Sequence, residues 1–259
     1  MLGAVPDVPR PDKIGNVLLD DPALHESPVV ANNAMNRERR LSSYTRELGF
    51  DPLDRVGGGW LDLCCGSGRA LIEAAVRLPG TRLVGVDLVD AFAAAPSLTP
   101  VAQPTRSAEP SSVAQPSPVA QPTPVAQPTL IAEPTLIAEP VERWAPDHPF
   151  DLITCVHGLH YVGDKLGVLA RVLRWLTPAG LFVADLDLTS IRLPDGRPAG
   201  RRLTALLRAA GLTYDARRRR ISCTGPRELD LPYAYLGADD RAGANYTGQA
   251  AVHSHYRPL

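Results

Sequence analysis

Apolar and polar positions along this chain switch between two periods, and each switch marks an element. Residues 60–64 (WLDLC) form a short apolar run broken by one acid, Asp62, and read as a buried strand. Gly66 and Gly68 follow, where the backbone can turn sharply and approach a ligand closely. Residues 69–78 change to helical spacing, with Leu71, Ile72, Ala75 and Val76 on one stripe, and Pro79-Gly80 stops the helix. Residues 83–86 are a second apolar run, with Asp87 at its end. Strand, glycine loop, helix and strand make a βαβ unit. Such a unit sets a helix N-terminus and an acid beside the carboxyl ends of two parallel strands, where open α/β sheets bind nucleotides.

The alternation resumes downstream. Residues 150–156 (FDLITCV) predict a strand buried on both faces, running into a loop that carries His157, His160 and Tyr161. Asp164 can cap a helix over 165–176, whose apolar face is Leu166, Leu169, Val172, Leu173 and Leu176. Pro178-Ala179-Gly180 turns the chain into a strand at 181–186. A helix over 197–210 closes at Gly211, and 212–214, 221–223 and 228–231 predict short late strands. The four arginines at 217–220 suit an exposed, solvated turn. Upstream, one helix is predicted over 32–48 through Met35, Leu41, Tyr44 and Leu48, ended by Gly49. Its Arg37, Arg39 and Arg40 fit a solvated face, or a cover for an acidic ligand. Residues 1–30 read as a loosely packed arm. The stretch 235–256 is too polar for core, and reads either as a flap over a substrate or as a mobile terminus.

One region breaks the pattern. From residue 101 to 140 a six-residue unit repeats (VAQPTR, SAEPSS, VAQPSP and onward), always with Pro at its fourth position. An aliphatic residue every six positions would suit a hexapeptide β-helix. The recurring Pro removes a ladder donor in each unit, so extended polyproline-like or disordered chain is the better reading. The last unit (TLIAE, 135–139) reads as a genuine third strand ending in Glu139, with the upstream copies as tandem duplicates. Residues 97–134 are therefore expected to be an insertion in a surface connection. Lengthening a loop from about ten to about forty residues adds only ~1.2 kcal/mol of closure entropy. The expected organisation is an N-terminal arm and helix at 1–48, then an α/β domain at 49–259 interrupted by that insertion.

Composition narrows the partners. The net charge of −1 gives no global field favouring nucleic acid or an anionic membrane. No apolar run reaches the length of a membrane span, and the N-terminus lacks the basic start and apolar core of a signal peptide. Cys64, Cys65, Cys155 and Cys223 include no C-x-x-C pair, so no metal site is expected. They read as reduced thiols of a cytoplasmic protein.

Two cofactor classes use a βαβ crevice. A dinucleotide site wants G-x-G-x-x-G, but the three positions are Cys64, Gly66 and Arg69, with one glycine among them. The alternative pattern is an acid on the first strand, then D-x-G-x-G-x-G, then an acid ending the second strand. Asp62, Gly66, Gly68 and Asp87 fit it, with Cys64 where the first glycine usually stands. This resembles motif I of the class I S-adenosylmethionine-dependent methyltransferases. The F-D-L strand, the histidine-bearing loop, the helix, the P-x-G turn and the next strand extend the resemblance over residues 60–187, without the insertion. The resemblance implies an α/β, Rossmann-like, doubly wound and mostly parallel sheet with antiparallel late strands, in three αβα layers. It implies a methyltransferase using S-adenosyl-L-methionine, with Asp62, Cys64, Gly66 and Gly68 at the methionine end. Asp87 would hold the ribose hydroxyls, and Glu139 the adenine amino group, shared with backbone near Val141 or Glu142. The methyl acceptor, taken as a small molecule, would lie near His157, His160 and Tyr161. There a histidine acts as base, or the two histidines only satisfy loop backbone. Asp185 and Asp187 would orient the acceptor or simply end a strand. A non-catalytic scaffold and a NAD-type oxidoreductase are the rival readings.

Overall fold

The computed structural model describes residues 17–35, 38–94 and 133–259. At its centre lies strand β1 (Gly59–Leu63), flanked by β2 (Arg82–Asp87) on one side and β4 (Phe150–Cys155) on the other. Outward from β2 comes β3 (Thr135–Ala138); outward from β4 come β5 (Leu176–Asp185), β8 (Arg220–Thr224) and β7 (Thr213–Asp215). The order is thus β3-β2-β1-β4-β5-β8-β7, parallel from β3 through β5, with β8 antiparallel to both its neighbours. The strand order reverses between β1 and β4. A crevice opens there at the carboxyl ends of the strands, which is where this sheet type binds ligands.

Alternation along the strands splits the core between two faces. Leu61, Leu63, Val84 and Ile153 face a cluster that includes α5 (Lys165–Val172) and α6 (Gly200–Ala209). Trp60, Leu83 and Leu152 face the other cluster, with α4 (Arg69–Arg77) and α3 (Leu41–Leu48). These are the three expected layers. In α4, Ala74 turns inward and Val76 outward, the latter 52% exposed. Asp164 caps α5 through a 2.9 Å bond from the Gly167 amide, and all five predicted apolar positions of this segment are buried.

Several expectations change. The helix predicted over 32–48 is two helices, α2 (Pro28–Met35) and α3, with residues 36–37 outside the described part. The six-residue gap between Met35 and Leu41 does not continue one apolar stripe, and Arg40 enters α3 in extended conformation (φ −89, ψ 158). Part of the expected loose arm, residues 17–30, is packed. Helix α1 (Asp21–His25) buries Leu24 completely, and Leu19 exchanges backbone bonds with Ala238 at 2.8 and 3.0 Å. Residues 1–16, the rest of that arm, and residues 97–132 of the insertion expected at 97–134 lie outside the described residues.

The polar C-terminal stretch is also ordered. Strands β9 (Tyr233–Asp239) and β10 (His253–Pro258) pair antiparallel, and β10 pairs parallel with β6 (Ile191–Arg192), giving a second, three-stranded sheet. The late strand expected at 228–231 starts instead just beyond Pro232. The second sheet buries several polar groups on specific partners. Tyr256 Oη donates to Asp164 at 2.8 Å and accepts from the Leu166 amide at 3.0 Å. Tyr235 Oη donates to Asp21 at 2.9 Å. The fully buried Lys165 ammonium donates to the carbonyls of Val162 and Val252 and to Ser254 Oγ, at 2.8–3.1 Å. Among the described residues, no helix is long and apolar enough to cross a membrane and no cluster could hold a metal ion.

Candidate active site

The loop between β1 and α4 is built by left-handed backbone. Gly66 (φ 62) and Gly68 (φ 70) take this conformation at no steric cost, whereas Cys64 takes it (φ 54) with a side chain. Gly158 makes room for that side chain. A Cβ added at Gly158 would stand 2.5 Å from Cys64 Cβ and 2.6 Å from Cys155 Sγ. Gly68 is equally constrained, since a Cβ there would meet Leu136 of β3 at 2.7 Å. The amide of Cys65 bonds the Val86 carbonyl at 3.1 Å, tying the loop to the end of β2. All four cysteines are free thiols.

Asp87 ends β2 and is almost fully buried. Its Oδ2 accepts from the Gly66 amide at 2.7 Å and its Oδ1 from the Leu88 amide at 2.9 Å. It forms one wall of a pocket of about 350 Å³. Aliphatic groups of Val30, Ala34, Leu88, Pro140, Val141 and Val162 make the other walls, with Cys64, His25, Glu142 and Tyr161 at the edges. Helices α1 and α2 supply the roof. Glu142 is the second carboxylate here. Burial pushes its carboxyl up, but bonds from His25 and the Gly163 amide outweigh this and hold it below the usual range. Glu139 is exposed and lies outside this lining; its amide bonds the Asp87 carbonyl at 2.9 Å.

Asp62 lies within the sheet below the loop. It accepts from Tyr44 Oη of α3 at 2.5 Å and from Thr154 Oγ1 at 2.6 Å, and Trp60 Nε1 donates to that threonine at 2.8 Å. Burial, then the Asp62 charge, push the Tyr44 phenol well above its usual pKa. Asp62 therefore fixes α3 against the sheet.

The loop after β4 distributes its three predicted residues. Tyr161 lines the first pocket and donates to Gln249 at 2.7 Å. His160 lines a second chamber of about 780 Å³ together with Asp187, Ser190, Arg192, Arg219, Asn245, Tyr246 and His253. His160 is 1% exposed, and the rings of His160 and Tyr161, which line one cavity each, meet edge to face at 6.4 Å. Burial, reinforced by the charge of Lys165, lowers the His160 pKa to about 3. His157, itself left-handed (φ 59), has Nε2 3.2 Å from Glu47 and Nδ1 3.5 Å from Asp185.

The arginine run supplies two residues that the sequence reading assigned to a solvated turn. Arg220 turns inward to Asp185 at 3.2 Å and bonds the carbonyls of Leu48 and Glu47. Arg219 pairs with Asp187 at 2.6 Å and lies over the Tyr246 ring at 4.5 Å. The inward pair follows from β8 beginning at Arg220, beside the acids that end β5. Tyr246, 5.3 Å from the His160 ring, carried no sequence signal at all.

Fold and crevice together define a Rossmann-like α/β domain with a largely apolar pocket, walled on one side by Asp87, at its switch point. The chain belongs to the methyltransferase-domain family, which matches residues 34–229. Solved structures with a similar fold include the plantazolicin methyltransferase BpumL in complex with a substrate analogue and SAH, at 15% identity over 58% of this chain and 44% of that one, TM-score 0.33. Another is SAM-bound CalS10, an amino pentose methyltransferase from Micromonospora echinaspora, at 17% identity over 62% and 52%, TM-score 0.34. A third is coclaurine N-methyltransferase, at 12% identity over 56% and 34%, TM-score 0.35. The chain spans about half or less of the length of these proteins. No curated protein sequence matches it.

Proposed function

We propose that this protein is a cytoplasmic S-adenosylmethionine-dependent methyltransferase acting on a small-molecule acceptor. The observation that carries the reading is Asp87. It is a buried carboxylate at the end of the second strand, fixed by the Gly66 and Leu88 amides, and it walls an apolar pocket in a chain of the methyltransferase-domain family. A carboxylate so placed accepts hydrogen bonds from a ribose diol, while Val141 and Val162 sandwich a base whose amino group donates to Glu142. The glycine loop takes the amino-acid end. Ser67 Oγ, buried there without a hydrogen-bond partner, fits a polar ligand group.

When bound, the cofactor supplies a methyl group on a sulfonium, open to in-line displacement. The chain's part is to hold an acceptor near and aligned. His160 is neutral at neutral pH and positions the acceptor by a hydrogen bond. His157, its two ring nitrogens toward Glu47 and Asp185, braces the loop behind His160. Tyr161 sits at the boundary of the two cavities and orders Gln249.

Calorimetric titration of S-adenosylhomocysteine tests this reading. Micromolar binding by the full chain, weakened roughly 100-fold or more in Asp87→Ala, is the expected result, because charge-assisted bonds to a ribose are lost. No binding by the parent, or NAD binding in preference, would overturn it.

A further inference from the structure

The second chamber has a chemical character of its own. Three of its lining residues carry buried nitrogens without hydrogen-bond partners: His160 Nε2, Arg192 Nε and Asn245 Nδ2. Buried polar groups in native proteins are nearly always paired, so three orphans around one cavity point to a ligand. The amide orientation of Asn245 is fixed, since its Oδ1 accepts from the Thr247 amide at 2.8 Å and from Thr247 Oγ1 at 2.5 Å. Its unpaired end is therefore the donor. Arg192 Nε is also a donor.

The charges point the same way. Asp187 is already engaged, by Arg219 at 2.6 Å and by the Thr189 amide and hydroxyl at 3.0 and 2.7 Å. That pair cancels. Arg192 bonds only neutral groups among the described residues, the Gly196 carbonyl at 3.3 Å and His253 Nε2 at 3.1 Å. Burial, then the charge of Arg192, lower the His253 pKa to about 4, so at neutral pH this histidine is neutral and accepts from the guanidinium. What remains, among the described residues, is a guanidinium with no direct carboxylate partner, with Asp239 further off beside His253, and two unpaired donors, Arg192 Nε and Asn245 Nδ2.

Resting on the methyltransferase reading above, we infer that this chamber binds the methyl acceptor and that the acceptor is a small carboxylic acid. Its carboxylate sits on Arg192 and Asn245, and the atom to be methylated passes beside His160 to meet the methyl group at the edge of the cofactor pocket. Tyr246 meets His160 edge to face and lines the chamber as an apolar wall for the acceptor's body.

The test is saturation-transfer NMR on the full chain with S-adenosylhomocysteine present. The probes are hydroxybenzoate, hydroxyphenylacetate and hydroxycinnamate, each against its carboxamide. At least one acid is expected to bind roughly tenfold or more tighter than its amide. Arg192→Gln should erase that preference, Arg192→Lys should retain most of it, and Asn245→Asp should weaken the acid about tenfold by repulsion. Cofactor affinity, measured in the same samples, should stay within about twofold in each variant, since none of these residues lines the first pocket. No acid bound better than its amide, or a preference surviving in Arg192→Gln, would overturn the assignment. Loss of cofactor binding by the parent would instead sink the methyltransferase reading itself.

Discussion

The two cavities of this protein are made in different ways. The first pocket rests on backbone at one wall: left-handed turns at 64, 66 and 68, amides of Gly66 and Leu88 on one carboxylate, and a strand end beneath them. That wall comes from residues 64–88, and the apolar walls come from 30–34 and 140–162. The second chamber depends on side chains gathered from 160, 187–192, 219 and 242–253, brought together by the small sheet of β6, β9 and β10. A site built of backbone leaves a spacing signature, because only certain residues tolerate the required φ. A site built of converging side chains leaves isolated candidates, here His160 and Asp187, but no spacing that joins them until the fold is known.

A large effect is expected where Gly158 leaves room for Cys64. In Gly158→Val the new side chain would collide with Cys64 and Cys155, and overpacking of this kind costs about 1–3 kcal/mol. A double variant, Gly158→Val with Cys64→Gly, should recover part of that loss in denaturant melts, since Cys64→Gly also removes a left-handed side chain. Strict additivity of the two changes would show that Gly158 is not there to seat Cys64.

A comparable effect, spread over an acid interval, is expected from the chamber. Its histidines His160 and His253 have folded pKa values of about 3 and about 4, depressed by burial first. For His160 the charges of Lys165, His157 and Arg219 add to this and Asp187 opposes. The unfolded chain takes up these protons near pH 6.5 and the folded chain does not. The contribution is therefore fully present above about pH 6.5 and lost as pH falls toward the folded values, at up to ~1.4 kcal/mol per pH unit for each group. Melting temperatures between pH 7 and pH 5 should fall, and His160→Asn should flatten the slope. An unchanged slope would mean that His160 is open to water in solution.

The smallest effect belongs to neither cavity. Deleting residues 97–132 should change stability by about 1 kcal/mol or less, because only loop-closure entropy is altered and β3 keeps its register on β2. A large fall in melting temperature would show that the repeat contributes to the packing of one region or the other.

Legibility followed the same division. The sheet, α4, α5 and Asp87 were readable because glycine spacing, capping and apolar periodicity are local. The break between α2 and α3 was readable only in retrospect, from the six-residue gap between Met35 and Leu41. Glu139 and Glu142 stand three residues apart at the end of one strand, and only the geometry of the turn at Pro140 decides which faces the pocket. The polar C-terminus looked unfit for core because its partners, Asp21, Asp164 and Lys165, are distant in sequence. Arg219 and Arg220 resembled their exposed neighbours Arg217 and Arg218 until β8 aligned them with the acids ending β5.

The central claim is that cofactor and acceptor are held by two separable sets of residues. The most direct test is S-adenosylhomocysteine affinity measured by calorimetry in Asp87→Ala and Arg192→Gln side by side. The account predicts a loss of roughly 100-fold or more in the first and a change within about twofold in the second. Equal losses in both, or none in either, would contradict it.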